Sequence, residues 1–303
     1  MSDAHIRDAS YWTGPDAEIH VSNLRGSIEV RRWDQPNVRV ESTVETDGDA
    51  ALLDLSVEHA GARVTVKASP VRDLGAWLSH VFGPKPPSVR FVISAPTTST
   101  LTIMAISAAV VVEGIEGVID VSTVSGGVTI LGSRAQVRVK TVSGEAAVSD
   151  ACGEVRFESV SGHLHVRGSS LDAIHATTVS GQVEVASVAP HTSPLAFNTV
   201  SGTVRLHVEA PQGFDAALTT LSGALQSNLM ISEMERIGPQ WRARLGVGGR
   251  EVKMTSVSGS LEIFGPERTS GTDSRPKRDQ ILEALVRGGI TLEEAKEHLD
   301  QLG

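Results

Sequence analysis

VIDVSTVSGGVTILGSRAQVRVKTVSGEAAVSDACGEVRFESVSGHLHVRG, residues 118–168, decides the architecture. It contains Thr123-Val124-Ser125-Gly126, Thr141-Val142-Ser143-Gly144 and Ser159-Val160-Ser161-Gly162, with the glycines 18 residues apart. Ile119 and Val121 precede the first glycine and Val128 and Ile130 follow it. Val137, Val139, Ala146 and Val148 hold the same places around the second, and Val155, Phe157, Leu164 and Val166 around the third. Polar residues such as Asp120, Arg138 and Arg156 stand between them. This period-two alternation marks strands with one buried face.

The frame extends in both directions. Downstream, the tetrapeptide recurs at Gly181, Gly202, Gly223 and Gly259, at intervals of 19, 21, 21 and 36 residues, the last being one repeat plus an insertion. Upstream, Ala108 stands in the glycine position of one copy and Gly26 in that of another, which makes nine copies. A unit of strand, bend and strand cannot bury its apolar face alone, and stacking joins the faces into one core. The expected fold is therefore all-β, a parallel β-solenoid, in which each residue type lands above itself in hydroxyl and valine ladders. Glycine at each bend is expected to supply a positive φ. The Thr or Ser three places before it, and the Ser one place before it, should bond the local backbone. An antiparallel β-meander with Ser-Gly as a two-residue turn is also compatible with the alternation. The near-identity of successive bends favours the parallel stack.

Two regions interrupt the repeat, near 31–98 and 228–250. The first holds strand-like segments at 38–41, 53–57, 63–67 and 89–94. It also holds Leu74, Trp77, Leu78, Val81 and Phe82 at helical spacing. That short helix either plugs the stack or docks on a partner through Trp77 and Phe82. Without a lysine-rich polar face, a protein partner fits better than lipid. The second region carries Trp241 and Gly246-Val247-Gly248-Gly249. It lacks the strand-to-helix setting of a phosphate-binding loop and reads as a loop or hairpin.

Composition changes after Gly265. Residues 265–277 read as a linker following the β domain of 16–264 and the N-terminal segment 1–15. Residues 278–303 read as a helical hairpin. Ile281, Leu282 and Leu285 share one side of its first helix; Thr291 and Glu294 form a capping box, and Leu292 and Leu299 line the second. So small a hairpin cannot hold a core alone. These apolar residues are the leading candidates for self-association or for binding a protein partner.

Serines repeat on every unit, whereas a nucleophile needs one dedicated base and oxyanion site. Cys152, the one cysteine, has no histidine patterned to activate it and excludes an internal disulfide. His163 and His165 share an outer strand face, but no third metal ligand is evident. The residues just after the glycines, among them Glu145, His163, Gln182 and Thr203, form no carboxylate cluster. No catalytic, cofactor or metal site is expected. A formal net charge of -9 argues against nucleic acid as a partner. With no signal-peptide pattern and no spanning apolar run, the expected location is cytoplasmic, with the inner face of the membrane as a candidate place and membrane contact at most peripheral or through a partner.

The Thr123–Gly126 and Thr199-Val200-Ser201-Gly202 units, with their strand flanks, resemble the Toastrack family of bacterial β-strand-repeat proteins, often labelled adhesins. The tail, Ile281-Leu282-Glu283-Ala284-Leu285 through Gly289-Ile290-Thr291-Leu292-Glu293-Glu294-Ala295, resembles the short bihelical segment that accompanies such domains, usually at the N-terminus. The resemblance implies a place in bacterial envelope-stress responses as an assembly platform near the membrane, with no catalytic residues to carry over. The leading expectation is thus a non-enzymatic scaffold. Its rivals are a bactofilin-like structural polymer and an adhesin or carbohydrate-binding β-helix.

Overall fold

The computed structural model describes residues 6–45, 53–70, 87–186, 194–208 and 213–265. By its contacts the chain divides into two compact units, Met1–Gly265 and Pro266–Gly303. The second unit, with Ile281, Leu282, Leu285, Leu292 and Leu299, lies outside the described residues.

Twenty-three strands run through the first unit among the described residues. The opening group is β1 (Ile6–Trp12), β2 (Glu18–Trp33), β3 (Asn37–Val44), β4 (Leu53–Ala60), β5 (Arg63–Pro70), β6 (Val89–Pro96) and β7 (Thr100–Glu113). Paired short strands follow: β8 (Val118–Thr123) with β9 (Val128–Leu131), β10 (Gln136–Thr141) with β11 (Ala146–Ser149), and β12 (Cys152–Ser159) with β13 (Leu164–Arg167). The series continues with β14 (Ser170–Thr178) and β15 (Val183–Ala186), then β16 (Leu195–Thr199) and β17 (Val204–His207), then β18 (Gly213–Thr219) and β19 (Leu225–Ser227). Last come β20 (Ile231–Ile237), β21 (Gln240–Leu245), β22 (Gly249–Thr255) and β23 (Leu261–Phe264).

The repeats stack in parallel, which excludes the antiparallel meander. Ile119 pairs with Val137, Val137 with Val155, Val155 with Ile174 and Ile174 with Leu195. Beyond the bend, Val128 pairs with Ala146, Ala146 with Leu164, Leu164 with Val183 and Val183 with Val204. The flanking apolar residues of all these rungs share one buried cluster. Its largest fully buried side chains include Phe91, Phe157, Phe197 and Phe214; branched aliphatics fill the rest of the interior.

The first repeats are continuous strands that pass straight through the bend. β2 pairs with β7 in parallel from Glu18↔Thr100 to Arg31↔Glu113. On its other edge β2 pairs with β5 (Ile19↔Val64, Val21↔Val66) and then with β6 (Gly26↔Val89, Ile28↔Phe91). The strands expected within 31–98 therefore add a rung to the stack. Residues 71–86, which join β5 to β6, lie outside the described residues, and the candidate helix with Trp77 and Phe82 falls among them. Antiparallel β4 on β5, and β3 on β6 with β1 on β3, extend this end. Their edges meet where the rings of Tyr11 and His59 lie 5.3 Å apart.

At the other end the rungs do not follow chain order. β22 and β23 lie between the β16/β17 rung and the β18/β19 rung. Leu195 pairs with Val252, which pairs with Ala216; Val204 pairs with Leu261, which pairs with Leu225. The chain skips one position, builds the outermost rung, and returns to fill the gap. Its return passes through the β20–β21 hairpin, which lies antiparallel on β18 (Leu218↔Trp241) and accounts for the second interruption.

Candidate interaction surfaces

Seven of the bends carry Thr/Ser-Val/Leu-Ser-Gly, with a separate task for each residue. The Thr or Ser hydroxyl faces inward and accepts a hydrogen bond from the glycine N–H. Gly144 N donates to Thr141 Oγ1 at 2.8 Å, Gly181 N to Thr178 Oγ1 at 3.0 Å and Gly202 N to Thr199 Oγ1 at 2.7 Å. Gly126, Gly162, Gly223 and Gly259 repeat the bond to Thr123, Ser159, Thr220 and Ser256. The serine bonds the neighbouring rung instead of its own backbone. Ser143 N and Oγ both donate to Val124 O, and Ser161 N and Oγ to Val142 O.

Glycine's role at these bends also differs from expectation. Of the eight glycines, only Gly26, at φ 113°, has a positive φ. The others are required by close approach of the next rung. A Cβ on Gly144 would lie 2.2 Å from Gly126 O, one on Gly162 2.2 Å from Gly144 O, and one on Gly181 1.9 Å from Gly162 O. The same contacts run from Gly202 to Gly259 to Gly223 and so trace the interleaved rung order.

The valines of the motif face outward. Val124, Val142, Val160, Val179, Val200 and Val257 are each about half exposed. Ile106 extends the row at one end and Leu221, at 75%, at the other.

A second row, three places after the glycine, is charged over part of its length, at His165, Glu184, Arg205 and Glu262, with Glu145 and His207 beside it. His165 lies 3.6 Å from Glu145 and 3.4 Å from Glu184, Glu184 lies 3.9 Å from His207, and Arg205 bonds Glu262 at 2.6 Å. The hydrogen bond from Arg205 to Glu262, reinforced by its charge and by that of Glu184, raises the guanidinium pKa. Among the described residues, no three His, Cys, Asp or Glu side chains converge as a metal ion requires. Cys152 opens β12 half-buried, its backbone bonded to Ser133 and Ala135. His163 Nδ1 accepts from Gln182 N at 3.0 Å.

The outer face near the β20–β21 hairpin holds a groove of about 600 Å³ over Ala217, walled by Asp215, Glu235, Arg242, Arg244 and Lys253. Arg244 bridges Asp215 at 3.2 Å and Glu233 at 3.3 Å. These ion pairs leave the groove walls largely self-neutralised. The Gly246–Gly249 run is a tight turn with Gly246, Gly248 and Gly249 at positive φ.

Arg250, at the start of the interleaved rung, is a residue that sequence reasoning passed over. It is buried and donates to Leu171 O at 3.2 Å and Asp172 O at 3.0 Å, two rungs away. Burial lowers its pKa, with the charge of Asp172 opposing. It stands two places before Val252, in the inward phase of the β22 alternation, and that was the available signal.

No functionally curated protein matches the chain. Among solved structures, a "putative lipid binding protein" from Parabacteroides distasonis is similar at 13% identity and a TM-score of 0.51, over 86% of this chain and 98% of that one. A "putative adhesin" from Bacteroides fragilis matches at 13% identity and a TM-score of 0.46, over 86% and 97%. These likenesses concern the fold. A family model, Toastrack DUF4097, matches residues 15–263, from the strand before the first bend to the end of the interleaved rung. The chain belongs to the Toastrack family.

Proposed function

We propose that this protein is a non-enzymatic scaffold in the bacterial envelope or membrane-stress response, whose β-stack presents regular surfaces while residues 278–303 engage a protein partner or a second copy. The observation that carries the reading is the character of the outer faces. Rung after rung the bends repeat the same valine and serine rows, while charges on the strands beside them pair with neighbours, as in Arg138–Asp120 at 3.4 Å and Lys140–Glu158 at 3.1 Å. A catalytic centre needs unlike groups converging on one point. A periodic surface multiplies one arrangement along a line, which suits recognition over length. Family membership supports the same reading.

The test is affinity capture from a bacterial lysate under cell-wall stress, comparing intact protein with protein ending at Gly265. A specific partner retained by the intact chain and lost on truncation, with the β-stack still folded by circular dichroism, is the expected result. Equal capture by both forms would move the binding site to the stack and remove the tail from the proposal.

A further inference from the structure

We propose that the row of outward valines at the bends is a self-association surface, on which a second copy of this chain packs row against row. The row runs Ile106, Val124, Val142, Val160, Val179, Val200, Val257, Leu221, in rung order. At one rung per ~4.8 Å it extends roughly 34 Å. The fold does not demand apolar side chains here. The backbone of each valine makes the rung-to-rung bonds and the glycine beside it makes the close approach, so any β-compatible residue would build the bend. A lone exposed valine is ordinary. Eight apolar residues aligned on consecutive rungs make a contiguous patch.

Three observations select a second copy as the occupant. The exposed surface of the eight side chains comes to roughly 700 Å², close to the ~800 Å² that one partner contributes to a stable interface. The row also has a fixed pitch. Branched knobs recurring at the rung spacing leave gaps at that same spacing, and an identical row supplies knobs that fill them. Finally, the flanks are poor in charge. On one side lie Met104, Ser122, Lys140, Glu158, Thr177, Asn198, Thr255 and Thr219, and on the other Ala109, Gly127, Glu145, His163, Gln182, Thr203, Ser260 and Ala224. Lys140 and Glu158 are already paired with each other. Two such faces meet with little charge to strip of water, and a lipid surface would want the aromatic and basic anchors these flanks lack.

Sedimentation velocity of the full chain from about 1 to 100 μM tests the proposal. The wild type is expected to form a dimer, and Val160→Asp, which sets two carboxylates into the middle of the interface, to raise its dissociation constant by at least tenfold. Val179→Ser, which adds no charge, should weaken the dimer less. Thermal melts establish that each variant folds; should Val160→Asp unfold, Val179→Ser alone decides by the same readout. A monomeric wild type at 100 μM overturns the proposal. So does an association unchanged by both substitutions. Leu285→Asp is the third arm: assembly lost with it but kept with Val160→Asp would assign self-association to the tail, overturning this inference while leaving the scaffold reading intact. Flotation of the wild type with phosphatidylcholine vesicles, abolished by Val160→Asp, would assign the row to lipid and equally overturn it.

Discussion

Two neighbouring glycines show how sharply single residues differ along this chain. Gly144 and Gly127 both flank the bends, yet a Cβ at Gly144 would strike Gly126 O at 2.2 Å while one at Gly127 would meet nothing nearer than 4.0 Å. Gly144→Ala should cost more than about 3 kcal/mol, because two rungs must part, and Gly127→Ala should change stability by less than about 0.5 kcal/mol. Chemical denaturation of the two variants checks this; similar costs would mean that the glycines serve the bend and not the stack. Thr141 supplies a second case. It is buried and accepts from Gly144 N. Thr141→Val strands that N–H at a cost of about 1–3 kcal/mol, while Thr141→Ser keeps most of the stability. Arg250→Met removes the charge-assisted bonds to Leu171 O and Asp172 O and should destabilise by about 1.5–3 kcal/mol. In hydrogen exchange, protection should fall first in β22 and β14.

At the scale of strands and bends, most of the stack was legible in the sequence because burial repeats with the chain. Ile119, Val137, Val155, Ile174 and Leu195 sit at one place in the frame and at one place in the core. The rung order was not legible, and the reason is the repeat itself. Leu195 could stand beside Ala216, the next unit in the chain, or beside Val252 with equal fit, so periodicity carries no information about which unit neighbours which. Features outside the repeat break the tie: Arg250 reaching across to β14, and the β20–β21 hairpin that lets the chain turn back. The positive-φ expectation failed for a related reason. A glycine in a motif signals that a Cβ is unwelcome, but sequence alone does not say whether torsion or a neighbouring backbone excludes it. At the open end, β20 pairs only with β21 among the described residues, and Glu233 and Glu235 punctuate it. Antiparallel pairing of two copies about Met234 would set Glu233 against Glu235, a repulsion that guards the edge. Replacing both with Val should produce concentration-dependent aggregation, visible by light scattering at constant melting temperature; an unchanged scattering profile would show that the edge is shielded in another way.

For the whole molecule, interleaving makes the last rung a condition for the one before it. A chain ending at Gly248 leaves β18 and β19 without β22 and β23, the parallel neighbours that join them to the stack. That truncation should lose the ordered signal of two rungs, whereas a chain ending at Gly265 should keep the full stack. Amide exchange of both truncated forms measures this. Retained protection of residues 213–227 in the shorter form would mean that the outer rung is held by the hairpin alone.

The same interleaving decides how the molecule bears tension. Residues beyond Gly265 leave the stack from β23, which is zipped on one side to β17 and on the other to β19. A pull applied to the chain beyond Gly265 must therefore break two ladders of hydrogen bonds together, where an outermost strand would peel from one. Force arriving from that direction meets a strand clamped on both edges, and the stack resists fraying there.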